Sequence, residues 1–277
     1  MKGDTDMSGS EIRLRRLIPD GQRIIILPID HGEFQGPRKG LLQPIRTLRS
    51  LEGYDAVLLS PGMFRRCSEV FAERRTLWAI VRLNWNADYC FQWAYRDGSH
   101  ARVLSPAGAL ALGADAALAS LAVGTGSPTA DAASVESFAR LAEEARAAGI
   151  PLGGEIYPGR DPGQFAQDEF HDLVLRSCRI VSELGADFVK TFYTGARFAE
   201  VVEATPVPII VLGASKEDEA QALTKAAQAI AAGARGVVFG RNVFESDRPQ
   251  AFLDALNEVV REGASPDATA TRYGFAR

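Results

Sequence analysis

Apolar residues in this chain come in short runs separated by longer amphipathic stretches. Residues 23–30 (RIIILPID) form a β-branched run closed by proline and polar residues, the pattern of a strand buried on both faces. Residues 54–60 (YDAVLLS), which end at Pro61-Gly62, and 77–83 (LWAIVRL) read the same way. So do 150–157 (IPLGGEIY), 186–193 (ADFVKTFY), 207–213 (VPIIVLG) and 234–240 (ARGVVFG). Residues 114–123 (ADAALASLAV) complete eight runs, although an alanine-rich segment also suits a helix.

The intervening stretches carry helical periodicity. In residues 133–149, Val135, Phe138, Leu141, Ala142 and Ala145 share one face, and Gly149 stands where a helix stops in the left-handed conformation. Residues 168–185 and 216–233 predict two more helices, each ending in glycine and followed almost at once by a strand. The triplets Gly113-Ala114-Asp115, Gly185-Ala186-Asp187 and Gly233-Ala234-Arg235 repeat this punctuation. Eight βα units in 277 residues predict an α/β fold, a single (β/α)8 TIM barrel forming one domain over 1–277. The alternative, an open doubly wound sheet, lacks a GxGxxG after the first run.

Composition narrows the functional classes. A hydrophobic fraction of 46% and a charged fraction of 24% are enough for a large core. The net charge of −4, with both signs interspersed, leaves no basic stripe for nucleic acid, so an anionic substrate must be held by local donors. Cys67, Cys90 and Cys178 are far apart and in no ligand spacing, which suits reduced thiols in a cytoplasmic protein. The polar start has no signal-like apolar core, and no run of 18 apolar residues predicts a membrane span. The first ten or so residues, and the stretch from about Gly263, read as tails that are poorly ordered unless a neighbouring subunit holds them.

In a barrel the chemistry lies at the C-terminal ends of the strands. There the sequence places Asp30-His31, Arg82-Leu83-Asn84, Glu155-Ile156-Tyr157, Lys190, Gly213-Ala214-Ser215 and Gly240-Arg241. Lys190 is the sharpest signal, because an ammonium inside an apolar strand is costly to bury. Burial favours the neutral amine, which can attack a carbonyl; the competing reading is an ion pair with Asp30 or Glu155. Asp30 and Tyr157 are acid/base candidates, against an N-cap or structural ion pair for Asp30 and a half-buried aromatic for Tyr157. The turns Gly213-Ala214-Ser215 and Gly240-Arg241 read as phosphate-binding, through backbone N–H groups and the Arg241 guanidinium, or as plain glycine turns. His31, Asn84 and Glu155 are further possible substrate contacts; His31 could tune Asp30, with a packed or capping role favoured. His171 reads as a surface residue within a helix. No cluster of histidines and carboxylates predicts a metal. Trp85, Tyr89, Phe91, Trp93 and Tyr95 make the segment 85–98 aromatic, a substrate lid or a subunit contact, with contact favoured because aromatics favour interfaces.

Taken together, PIDHG at 28–32 with Gly36-Pro37, EIYP at 155–158, ADFVKTFYTG at 186–195 and GARGVVFGRNVFE at 233–245 resemble the DeoC/LacD/FbaB-type aldolases. Within that superfamily the chain is similar to archaeal-type class I fructose-bisphosphate aldolases and to 2-amino-3,7-dideoxy-D-threo-hept-6-ulosonate synthases, over residues 17–260. The resemblance implies Lys190 as a Schiff-base lysine with no other cofactor, Asp30 and Tyr157 as the acid/base pair, and phosphate at 213–215 and 240–241. It also implies a homo-oligomer, up to a decamer. Relatives usually carry YPRG where Tyr157-Pro158-Gly159-Arg160 stand, often GGPK where Gly213-Ala214-Ser215-Lys216 stand, and often an acidic residue at the place of Ala196. The implied activity is carbon–carbon bond cleavage or formation in a phosphorylated keto-sugar, with triose phosphate and an aldehyde as partners. Two alternatives are a transaldolase-like synthase acting on aspartate semialdehyde and a non-catalytic barrel that binds a phosphometabolite.

Overall fold

A computed structural model of the chain describes residues 8–90 and 98–275. Eight parallel strands close into a barrel: β1 (Ile24–Pro28), β2 (Ala56–Leu59), β3 (Trp78–Arg82), β6 (Ala116–Val123), β7 (Leu152–Pro158), β8 (Phe188–Thr191), β9 (Ile209–Leu212) and β10 (Gly236–Val238). Two short strands, β4 (Asn84–Asn86) and β5 (His100–Arg102), interrupt the alternation as an antiparallel pair after β3. Around the ring the order is β1-β10-β9-β8-β7-β6-β3-β2, so β1 closes on β10. This is the (β/α)8 barrel that the eight runs predict. The ambiguous alanine-rich run is β6, paired with β7 over seven positions from Ala117↔Leu152 to Val123↔Pro158.

Side-chain alternation sorts the strands into two cores. Ile24, Ile26, Leu58, Ile80, Leu118 and Phe188 point into the barrel and fill it. Phe188 uses the space left by Gly153, where a Cβ would collide with its ring. Strand residues of the opposite parity, such as Val57, Val81, Val189 and Val211, join the larger core under the helices.

The helices begin at their caps. The helix expected from 133 starts at Pro128, because Ser127 accepts from Ala130 N–H and Pro128 occupies the first turn. It ends at Gly149 with φ 71°. Gln167–Glu183 and Glu219–Ala231 are the other two expected helices.

Residues 1–7, most of the N-terminal stretch expected to be a tail, lie outside the described residues. The helix Gly9–Leu17 brings Leu14, Leu17 and Ile18 against the barrel interior, where with Trp78 they plug its N-terminal mouth. Part of the stretch expected to be a tail is the helix Pro266–Tyr273, capped by Ser265 and stopped by Gly274. It buries Ala270, and the buried Phe275 that follows it meets Phe252 edge-on and lies under the Arg248 guanidinium.

Candidate active site

The inward parity that fills the lower barrel with hydrocarbon continues upward into polar residues. Asp30, Arg82, Ser120, Glu155 and Lys190 are all buried at the C-terminal ends of their strands. Register brings them together, because Ser120 pairs with Glu155 across β6–β7 and Glu155 pairs with Lys190 across β7–β8. Glu155 Oε1 is in direct ion contact with Lys190 Nζ. Its other oxygen accepts from Arg82 Nη2 at 2.5 Å and from Ser120 Oγ at 3.3 Å. Arg82 donates further to Asp30 Oδ2 at 2.7 Å and Ser120 Oγ at 2.8 Å.

Two buried cations therefore face two buried carboxylates, and each carboxylate has a charged partner. Burial pushes the Asp30 carboxyl up, but Arg82 and then Lys190 outweigh it and hold it below the ordinary range. Glu155 follows the same logic, with Arg82 and Lys190 overcoming burial. The competing sequence reading of Lys190, an ion pair, is thus realised with Glu155. Asp30 is engaged by Arg82 instead.

Arg82 is the residue that the sequence reading left unassigned. It is fully buried, with its guanidinium 5.0 Å from the Phe34 ring centroid. The signal was the one used for Lys190, a cation in an apolar strand (WAIVR). Asn242 was also missed. Its side chain donates to Gly213 O at 3.0 Å and accepts from Glu217 N at 2.8 Å, so it fastens the turn after β9 to the turn after β10.

Asp30, Glu155 and Lys190, but not Arg82, Ser120 or Asn242, reach a cavity of about 950 Å³. Asp30, His31, Glu155, Tyr157 and Lys190 line it, as do the turns 213–215 and 240–241. Gly240 is required by close approach, since a Cβ there would meet His31 Cε1 at 2.7 Å and Pro28 Cγ at 2.8 Å. The Gly213 N–H donates to Val238 O at 3.1 Å, so the unengaged amides of that turn begin at Ala214. Ala214 has φ 54°, the left-handed region. The Arg241 Nε is buried without a hydrogen-bond partner.

His31 is a packed residue. Its ring lies edge-on to Phe244 at 5.2 Å, and Nδ1 is 3.8 Å from Asp30 Oδ1 without a hydrogen bond. Burial depresses its pKa to about 3 against the opposing pull of Asp30, with Lys190, Arg241 and Arg38 adding to the depression. Asn84 is not among the cavity-lining residues. It is buried beside β6, where it accepts from Ser120 N at 2.8 Å and donates to Ser120 O at 2.9 Å.

His171 departs from its expected surface position. It is 1% exposed, on the face shared with Val174, Cys178 and Val181, and its Nδ1 is 2.9 Å from Thr194 Oγ1. In the aromatic segment, Trp85 donates to Glu33 O at 3.1 Å, and Tyr89 lies over the cavity with its ring 5.6 Å from that of Tyr157. Phe91, Trp93 and Tyr95 lie outside the described residues. Among the described residues no three His, Cys, Asp or Glu side chains are grouped to hold a metal ion, and no helix is long and apolar enough to cross a membrane.

Comparison with known proteins supplies the lineage. A 2-amino-3,7-dideoxy-D-threo-hept-6-ulosonate synthase of Archaeoglobus fulgidus is 36% identical over 256 residues, covering 92% of both chains. An uncharacterized aldolase of Saccharolobus solfataricus is 32% identical over 268 residues, covering 93% of this chain and 96% of its own. The structure of a Schiff base-forming fructose-1,6-bisphosphate aldolase superposes with a TM-score of 0.76 at 26% identity, over 90% of this chain and 98% of its own. The family model of the DeoC/LacD aldolases matches residues 24–246, a span from the first barrel strand to beyond the last, and the chain belongs to that family.

Proposed function

We propose that this protein is a class I aldolase in which Lys190 forms a Schiff base with a phosphorylated ketone. The observation that carries the reading is Lys190 at the cavity floor in contact with a buried carboxylate, Glu155. Glu155 takes a proton from the Lys190 ammonium, and the neutral amine adds to the ketone carbon. Glu155 returns that proton to the carbinolamine hydroxyl, which leaves as water, and an iminium remains. In cleavage, the hydroxyl on the far carbon of the bond to be broken, β to the iminium carbon, gives up its proton. The bonding electrons pass to the iminium nitrogen, an aldehyde leaves, the enamine is reprotonated at carbon, and water hydrolyses the resulting iminium to release the ketone and the Lys190 amine. Synthesis is the reverse.

Tyr157 and Asp30, both at the cavity wall, move the substrate protons. The phosphate is held by Arg241 with the amides of Ala214 and Ser215, a site built without any large net positive charge on the chain. A second reading, transfer of a triose or ketose phosphate unit to aspartate semialdehyde, draws support from the 36% identity to the Archaeoglobus synthase. Both share the lysine chemistry and differ in the aldehyde.

The test is reductive trapping. Folded protein is incubated with dihydroxyacetone phosphate, reduced with borohydride and analysed by peptide mass. The expected result is a triose phosphate-sized adduct on the Lys190 peptide that is absent from Lys190→Met. A folded protein that gives no adduct with this or any other keto-phosphate is a non-catalytic binding barrel, and the proposal falls.

A further inference from the structure

A second cavity, of about 640 Å³, lies between the segments that follow β1 and β2. Among the described residues it shares only Pro37 with the lining of the catalytic chamber. Ile29, Leu41, Leu42, Met63 and Val103 give it apolar walls. Among the described residues four large apolar side chains are exposed, and two of them, Leu42 (73%) and Val103 (43%), line this one cavity. Single exposed apolar residues are ordinary, but two that share a concave apolar surface make a place for a ligand.

Into these walls the chain sets a carboxylate. Glu33 lines the cavity half-buried, and its Oε2 is buried without a hydrogen-bond partner. Its backbone is anchored, with N donating to Asp30 O at 3.0 Å and O accepting from Trp85 Nε1 at 3.1 Å. The other charged lining residue, Arg66, is exposed and turns back to donate to Gly62 O at 3.2 Å. Burial pushes the Glu33 carboxyl up to about 7; Arg82 pulls the other way without offsetting it, and the charge of Asp30 adds to the rise. Arg82 has its own hydrogen bonds committed to Asp30, Ser120 and Glu155. An unpaired carboxylate in apolar surroundings is costly, so a positive charge from outside the chain would relieve it.

We infer that this cavity is a second ligand site, which takes a small organic cation with an apolar body. The ammonium group pairs with Glu33, and the body covers Leu41, Leu42, Met63 and Val103. The site is distinct from the one that holds Lys190 and does not depend on the Schiff-base reading.

Calorimetry of the full chain with 2-phenylethylammonium at pH 8 should give a Kd of about 1 mM or tighter, the scale of a small ligand in an apolar cavity. 2-Phenylethanol and 3-phenylpropionate keep the body without the positive charge, and methylammonium keeps the charge without the body. Each should bind about tenfold weaker or worse. Glu33→Gln should remove the advantage of the cation, and Leu42→Ser should weaken binding several-fold. Glu155→Gln, which alters only the catalytic chamber, should leave the affinity unchanged. Between pH 8 and pH 6 the ligand stays charged while Glu33 takes up its proton, so wild-type affinity should fall about tenfold and that of Glu33→Gln should stay level. If Glu33→Gln does not fold, the ligand series and the wild-type pH dependence decide the question. A Kd above about 10 mM, equal binding of 2-phenylethanol, or a loss that follows Glu155→Gln in place of Glu33→Gln overturns the inference. So does an oligomer that Leu42→Ser dissociates, which would give this surface to a second copy of the chain.

Discussion

Replacing Arg82 with methionine tests the central electrostatic argument. The guanidinium is fully buried and donates to Asp30, Glu155 and Ser120. Methionine fills much of the same volume but leaves two buried carboxylates with Lys190 as their nearest cation. Removing one partner of a buried ion pair typically costs about 3–5 kcal/mol. At about 2–3 °C per kcal/mol for a chain of this size, the melting temperature should fall by about 6–15 °C.

The loss should depend on pH, and its sign follows from the carboxylates. In the wild type both are held below their ordinary values, so their contribution is present above the unfolded pKa and is lost as pH falls through the folded one. Without Arg82, burial is opposed by less positive charge and the folded pKa values rise. The variant then loses stability as pH increases, and the gap from wild type widens from pH 5 to pH 8. Thermal melts at both pH values, beside a triple variant Arg82→Met/Asp30→Asn/Glu155→Gln, measure this. A gap that is under about 2 °C at pH 8, or equal at the two pH values, would refute the reasoning.

Three further outcomes are expected. Glu155→Gln should slow imine formation about 100-fold, and the residual rate should rise with hydroxide concentration as solvent replaces the carboxylate; stopped-flow trapping that shows wild-type rates would exclude Glu155 as the proton acceptor. Ala214→Gly should stabilise the fold by about 1 kcal/mol in urea titration, because an alanine at φ 54° pays a steric penalty that glycine avoids, and a destabilised variant would count against that strain. His31 is held neutral to about pH 3, so the unfolded chain takes up its proton first and stability is lost as pH falls below about 6.5, by up to about 4–5 kcal/mol. In urea titrations from pH 7 to pH 4, His31→Phe should be less sensitive to acid than wild type; equal slopes would contradict the buried neutral ring.

What could be read from the sequence was whatever local pattern encodes. The strand runs, the glycine-terminated helices and a lysine in an apolar strand are short-range signals, and the barrel follows from their order. Which carboxylate meets Lys190 is not local: it depends on the register Glu155↔Lys190 and on Arg82 drawing Asp30 away. Arg82 and His171 were legible but passed over. Arg82 carries the same anomaly as Lys190, and the spacing of His171, Val174, Cys178 and Val181 marks one buried face. The C-terminal helix was signalled by Ser265-Pro266 and Gly274, yet its polar composition hid the few residues that dock it. The β4–β5 pair had no comparable signal, because three-residue strands are too short to show alternation.

The plug at the N-terminal mouth of the barrel constrains the order of events. Leu14, Leu17 and Ile18 seal one end, hydrocarbon fills the lumen above them, and Lys190 stands at the blind end of the chamber that remains. Under the proposed Schiff-base reaction at Lys190, one doorway must then serve both reactants. In synthesis the ketone has to arrive first and become tethered, and the aldehyde enters behind it. In cleavage the aldehyde departs first and the tethered fragment last. An aldehyde that enters an empty chamber blocks the path to the lysine. Steady-state rates should therefore show compulsory-order addition, with inhibition by excess aldehyde that rising ketone concentration relieves.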